Sequence, residues 1–399
     1  MAFENIQPAQ TSLGSSVTLE QLAHDPYPLF QQLLTHEPVS WCPDINMWLV
    51  TRYVNVVNIL KDWERFSLED DHSQIAATIG PMMLSTDGAH HKRQRVPFAT
   101  PFRPKPLRRS YSNIIAQIAN NAIDALPESN KFDLDKAFSD EVALLTVATV
   151  LGFPVEDRET FVELYEHMAM GVGNFRKEAS IQAIADQAMT EFHRYVIALV
   201  ERLKKEPNDS ILSQMVHSAD SNLTNDEIVS NTAITFFGGL ETTASLLSNS
   251  IWCFLTEGVN INELITHPAK CANAVEEVLR WEAPVQTAHR LVKQDVVLHG
   301  RTLKAGDMVQ TMLSGANRDP RIFENPNTFD IERVNANKHL SFARGPHFCF
   351  GAPLARMEAT IGLPILFGRL RNLRLDSAHP TKPTGHEFRS PETLFCKWD

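Results

Sequence analysis

The segment LSFARGPHFCFGAPLAR, residues 340–356, sets Cys349 between Phe348 and Phe350, with Gly345 and Gly351 on either side. A cysteine acts on metals and electrophiles as thiolate, and thiolate is favoured at the positive end of a helix. The run that follows supplies such an end: Pro353 is tolerated in a first helical turn, and Leu354, Ile361, Ile365 and Leu366 make an apolar face. Glycines beside the sulfur let a flat ligand approach the backbone, while Phe342 and Phe348 can keep water from it. From these residues alone two readings stand, a buried free thiol in a Gly-bounded turn and a lone metal-binding thiolate. A second chemistry is suggested by AITFFGGLETTASLL, residues 233–247. Gly238 and Gly239 each cost a helix about 1 kcal/mol relative to alanine. Either the helix kinks there and Glu241 points to solvent, or a ligand passes close to the backbone and the acid Glu241 and alcohol Thr242 relay protons to it.

Two further segments are charged. EEVLRWEAPVQTAHR, residues 276–290, contains Glu277-x-x-Arg280, an acid and base on one helix face, and then Pro284 and an extended piece with Arg290. On a surface such a pair contributes only about 0.2–0.5 kcal/mol. Between Gly88 and Arg109 there is no Asp or Glu, but there are His90, His91, Lys92, Arg93, Arg95, Arg103, Lys105, Arg108 and Arg109. This is either a solvated basic helix or an anion site with a docking face for an acidic partner.

The elements that must position these groups read as mainly helical with small patches of strand. Residues 39–61 suggest strand, turn, strand and helix; residues 106–283 a succession of amphipathic helices broken at Gly152-Phe153-Pro154, Glu206-Pro207-Asn208 and His267-Pro268; residues 296–313 a hairpin and a third strand. The polar tract 314–339 is too long for an ordinary connection and is expected to be an ordered meander. No repeat or long linker divides the 399 residues, so a single domain, 1–399, is expected. A formal net charge of −11 argues against a nucleic-acid coat. Five scattered cysteines with no C-x-x-C pair indicate neither a disulfide framework nor a zinc site. The N-terminal residues resemble no signal peptide and no apolar run spans a bilayer, so a cytoplasmic protein that binds neither membrane nor nucleic acid is expected.

Together these motifs resemble the cytochrome P450 family in its soluble bacterial, ferredoxin-dependent form, along essentially the whole chain. Phe342-x-x-Gly345-x-His347-x-Cys349-x-Gly351 resembles the haem-ligand loop, with Cys349 as the iron ligand and Ala343 where glycine is usual. Gly238-Gly239-x-Glu241-Thr242 resembles the oxygen-activating groove, with Glu241 and Thr242 catalytic and Gly238 and Gly239 against the cofactor; aspartate is also common in place of Glu241. Glu277 and Arg280 match a buried structural pair, and Arg333 its third member. His91, Arg95, Arg290 and His347 match the residues that hold the haem propionates. The resemblance implies a mainly α fold, a triangular helical prism with small β-sheets, carrying haem b (iron protoporphyrin IX).

The activity it implies is a monooxygenase that inserts one atom of O2 into a small or medium apolar organic substrate. Electrons would come from a ferredoxin, or a flavodoxin, docked at the basic proximal face of residues 92–109 with Arg344. The implied pocket wall includes Ile79, Met82, Met83 and Leu84, and the region of Met168, Met170 and Phe175. Ala233, Phe237, residues 285–288 including Gln286, and Phe395 complete it, with Phe237 narrowing the space. Atypical outcomes (C–C coupling, desaturation, nitration) and a peroxide-driven enzyme are the alternatives within the family, a haem sensor or electron carrier the one outside it. The acid–alcohol pair speaks against the sensor and the peroxide-driven form.

Overall fold

Helix boundaries fall at the breakers. The helix Glu141–Leu151 ends on Gly152, whose φ of +97° lies in the left-handed region that glycine enters without strain. Pro207 lies just beyond the helix Ala179–Lys205, and Pro268 opens the helix Pro268–Trp281, where its missing N–H costs nothing. The first long helix of the middle region begins slightly earlier than expected, as Pro104–Asp124. The computed structural model describes residues 12–70, 73–174, 176–218 and 221–399, so Phe175 of the expected pocket wall lies outside the described residues.

Two units form, each from three separated stretches. One unit takes the residues up to Ser67 with Ser248–Cys349 and Arg374–Phe395, the other Leu68–Leu247 with Phe350–Leu373 and Cys396–Asp399. The first carries a five-stranded sheet in the order Val39–Cys42, Met47–Val50, Met308–Met312, Thr287–Val292, Phe66–Ser67. Only Met47–Val50 and Met308–Met312 run parallel; the other neighbours are antiparallel. Val39, Val50, Val292 and Val309 bury one face against Val56, Ile59 and Leu60 of the helix Tyr53–Lys61. The expected hairpin is Val296–Leu298 with Arg301–Leu303, closed by His299 and Gly300, both at positive φ, a turn whose twist suits the strands. The extended piece bearing Arg290 becomes the strand Thr287–Val292.

The second unit is helical. Phe153 is buried in it, with its ring 5.8 Å from Phe161, 6.2 Å from Phe192 and 5.6 Å from Phe236. Its helices include Gly88–Ala99, Arg158–Val172, most of Asn225–Thr256, and Ala352–Arg369. The expected apolar face of the last helix needs correction: Ile361 and Ile365 are only half-buried, while Ala359 and Leu363 are buried. Protein covers this helix on most sides, so no single stripe marks its inward face. Among the described residues no helix is long and apolar enough to cross a membrane.

Candidate active site

Cys42, Cys253, Cys271 and Cys396 are buried, whereas Cys349 is exposed, which removes the reading of Cys349 as a buried inert thiol. Burial raises the pKa of Cys42, of Cys253, and of Cys271 to about 11, so these three stay protonated at neutral pH. The Cys349 loop is tied by its own backbone: Cys349 N–H donates to Phe342 O at 2.9 Å, Ala343 N–H to Leu340 O at 2.7 Å and Phe348 N–H to Gly345 O at 3.1 Å. Gly345, at φ +77°, is required for packing: a Cβ there would lie 2.4 Å from Leu60 O and 2.9 Å from Lys61 Cα, at the end of the helix Tyr53–Lys61. Its missing side chain therefore lets that helix approach.

Ala343 lies at φ +56°, which explains why glycine is usual at that position. Left-handed backbone costs a side-chain-bearing residue about 1–2 kcal/mol, and the Ala343 methyl recovers part of this by packing on the Leu340 cluster. Ala343→Gly is therefore expected to raise stability by about 0.5–1 kcal/mol, read as a higher denaturant midpoint at unchanged slope. A lower midpoint would mean that the methyl contact outweighs the strain.

The anion-binding candidates lie two in each unit. In the first, Arg290 is buried on the strand Thr287–Val292 and donates from Nη1 to His289 O at 2.6 Å, and half-buried His347 ends the short turn Gly345–His347. In the second, buried His91 and half-buried Arg95 share one face of Gly88–Ala99, with the Arg95 guanidinium 5.3 Å from the centre of the Phe350 ring.

The helix Asn225–Thr256 continues through Gly238-Gly239 without a break. The glycines have different tasks. A Cβ on Gly239 would lie 2.4 Å from Val147 Cγ2, so this residue lets two helices close up; a Cβ on Gly238 would meet nothing within 4 Å. Only Gly238 leaves a bare stretch of helix for a flat group. Thr242 Oγ1 donates to Gly238 O at 2.6 Å, which directs its proton down the helix and leaves the oxygen as an acceptor. Glu241 reaches solvent, yet crowding by protein raises its pKa; the Tyr165 hydroxyl opposes the rise by hydrogen bonding, and the charge of Asp140 adds to it. The acid therefore keeps its proton to a higher pH than an ordinary glutamate. Tyr165, whose ring lies 4.7 Å from that of Phe237, one turn before Glu241, carries no sequence signal.

Glu277, Arg280 and Arg333 meet as the resemblance implies, with side chains 0 %, 0 % and 7 % exposed, so this is no surface pair. Arg280 donates to both carboxylate oxygens of Glu277 at 2.7 Å, and Arg333 Nε to both at 3.1 Å. The remaining guanidinium donors reach the carbonyls of Asn317, Glu324, Asn325, Pro326 and Thr328. Two buried cations thus order the polar tract 314–339 through its backbone.

The expected pocket wall is mixed. Met82, Met83 and Ala233 belong to the buried core of the second unit, while Leu84 and Met170 are exposed and Phe237 is half-buried against Tyr165. Gln286 is buried, donating from Nε2 to Ala283 O at 2.6 Å. The Phe395 ring lies 4.5 Å from that of His379, and the exposed Phe388 is bridged to Val285 of the 285–288 segment. The Gly385 turn that presents Phe388, at φ +122°, was the available sequence signal.

Taken by chemistry alone, an exposed thiol, two basic side chains in each unit and a helix stretch left bare at Gly238 are the kinds of group an iron porphyrin would need, a soft ligand for the metal and cations for two carboxylates. The family model described as Cytochrome P450 matches residues 38–257 and 271–393. The biotin biosynthesis cytochrome P450 of Bacillus subtilis is 30 % identical over 377 residues, covering 91 % of this chain and 94 % of that one. The vitamin D(3) 25-hydroxylase of Pseudonocardia autotrophica is 31 % identical over 363 residues, 88 % of each. Among solved structures, substrate-free CYP109E1 from Bacillus megaterium superposes with a TM-score of 0.86 at 30 % identity, covering 94 % of this chain and 99 % of that one. P450BioI in complex with hexadec-9Z-enoic acid ligated acyl carrier protein gives a TM-score of 0.85 at 29 % identity, covering 95 % and 100 %. These matches settle the assignment: the chain belongs to the cytochrome P450 family, has its fold, and is a monooxygenase with haem b as cofactor.

Proposed function

We propose that this P450, acting as one haem domain, inserts an oxygen atom from O2 into a small or medium apolar organic substrate. Cys349 holds the iron, His91, Arg95, Arg290 and His347 hold the carboxylates, and Gly238 lets the ring approach the central helix. Thiolate-bound haem supplies oxygen activation, because the thiolate pushes electron density to the iron and favours O–O cleavage. Thr242 orders the nearby water and Glu241 delivers the proton. The observation that carries this reading is the pairing of Thr242, bonded to Gly238 O at 2.6 Å, with a neighbouring acid whose pKa is raised. Relatives crystallised with testosterone or with a hexadecenoyl chain support the apolar substrate class.

Thr242→Val should fold and bind haem like the wild type, yet product formed per NAD(P)H consumed should fall severalfold while hydrogen peroxide rises. Glu241→Gln should slow turnover by roughly 10²-fold with less peroxide. Equal coupling in wild type and Thr242→Val would sink the relay and favour the peroxide-driven or sensor readings.

The electron donor we infer is an acidic ferredoxin, with flavodoxin second. Lys92, Arg103, Lys105, Arg108 and Arg109 are exposed, whereas Arg93 is spent on an ion pair with Glu227. Reversing the charge of Arg108 and Arg109 should slow reduction at low salt about tenfold and flatten its dependence on ionic strength, as expected for screened steering. Unchanged rates at every salt concentration would move the docking site elsewhere.

A further inference from the structure

Asn231, in the helix Asn225–Thr256, is fully buried and uses its amide in three directions. Its Oδ1 accepts from Met83 N–H at 2.8 Å; its Nδ2 donates to Gln94 Oε1 at 2.8 Å and to Glu227 O at 2.7 Å. The orientation is unambiguous, since only oxygen can accept from Met83 and only nitrogen can donate to a carbonyl. The preceding residue acts alongside: Ser230 Oγ donates to Ile79 O at 3.1 Å. A Cβ on Gly80, at φ +93°, would lie 3.1 Å from the same Oγ. Gln94 sits between His91 and Arg95 on the helix Gly88–Ala99, and Arg93 of that helix is paired with Glu227.

Residues 80–87 have little ladder of their own, only the single turn Met83–Ser85. Such a segment takes its position from outside bonds. We propose that Asn231 is a positioning residue that fixes the wall segment 79–85 to the helix bearing His91 and Arg95, and so sets the size of ligand the site accepts. This rests on the reading of that segment as pocket wall and of that helix as the haem edge. One side chain then holds the wall and the edge in register, so that the segment behaves as a fixed wall and not as a swinging lid.

The test uses the haem-loaded protein with Asn231→Leu, nearly isosteric but unable to bond, and Gln94→Leu, which cuts only the bond to the helix. Amide exchange is followed over residues 79–87, and the dissociation constants of imidazole and of the larger 4-phenylimidazole are read from the haem spectrum. In Asn231→Leu, exchange in this segment should quicken about tenfold, the effect of losing a hydrogen bond of ordinary net strength, while peptides of Pro104–Asp124 stay unchanged. The affinity ratio of the two azoles should move severalfold, with the reduced carbon monoxide spectrum unaltered. Gln94→Leu should keep the Met83 amide protected and shift the ratio less. Unchanged exchange, or acceleration spread evenly over all peptides, would reduce Asn231 to a general stabilising role and overturn the proposal. So would local loosening with an unmoved azole ratio. If the wild type bound no azole at all, the haem reading would fail first, and the exchange data would still decide whether the clamp exists.

Discussion

Cys349→His should leave a protein that folds and retains some haem, but whose reduced carbon monoxide complex has lost the strongly red-shifted band of thiolate ligation. Turnover should fall to background with it, because a neutral imidazole does not supply the electron density that drives O–O cleavage. Replacing Cys271 or Cys253, whose buried thiols stay protonated, should leave the band in place. A histidine variant that kept the shifted band, or a wild type that never showed it, would remove Cys349 from the iron.

Glu277→Ala is expected to be the most destabilising single change in the molecule. It strips the shared carboxylate from two guanidiniums that are 0 % and 7 % exposed, leaving buried positive charge with backbone carbonyls and, at Arg280, the Trp281 and Phe323 rings around it. Breaking a buried ion pair from one side costs about 3–5 kcal/mol, against a total stability of about 5–15 kcal/mol. The loss should show as a large drop in denaturant midpoint and in the fraction recovered with haem, and as faster amide exchange across residues 314–339, whose carbonyls the two arginines hold. Arg333→Lys, which keeps a charge but not the planar fork, should cost less. A Glu277→Ala protein with near-normal stability would mean that the carbonyls and rings alone satisfy both cations.

How far each group could be read in advance follows from how local its cause is. Cys349, Glu241, Thr242 and the Glu277-x-x-Arg280 pair stand out because their chemistry dictates residue type and spacing within a few positions. The meander 314–339 announced itself by length. Ala343 was visible as a departure, but its positive φ was not. Gly238 and Gly239 are the same residue in sequence and differ only by the presence of Val147 opposite one of them. Apart from Arg333, which the resemblance supplied, contacts between distant segments left no local trace. Arg318, stacked 3.8 Å from the Tyr27 ring and 3.5 Å from Trp281, sits in a buried cluster with Glu282 and Arg389 that no local pattern suggests. The same is true of Tyr165 beside Glu241, and of Phe388 beside Val285.

Because each unit is stitched from three separated stretches, neither is complete until its last stretch, residues 374–395 for one and 396–399 for the other, has been made. The core of the helical unit includes Leu354 and Met357, and the sheet unit draws on Leu340, so a nascent chain some 330 residues long lacks pieces of both. The usual advantage of folding the N-terminal part first is therefore small here. Cys349 lies late in the order of synthesis, after the first stretch of the helical unit and ahead of the helix Ala352–Arg369. Premature stops anywhere before the helix Ala352–Arg369 should yield chains fit for proteolysis and not a partly active enzyme.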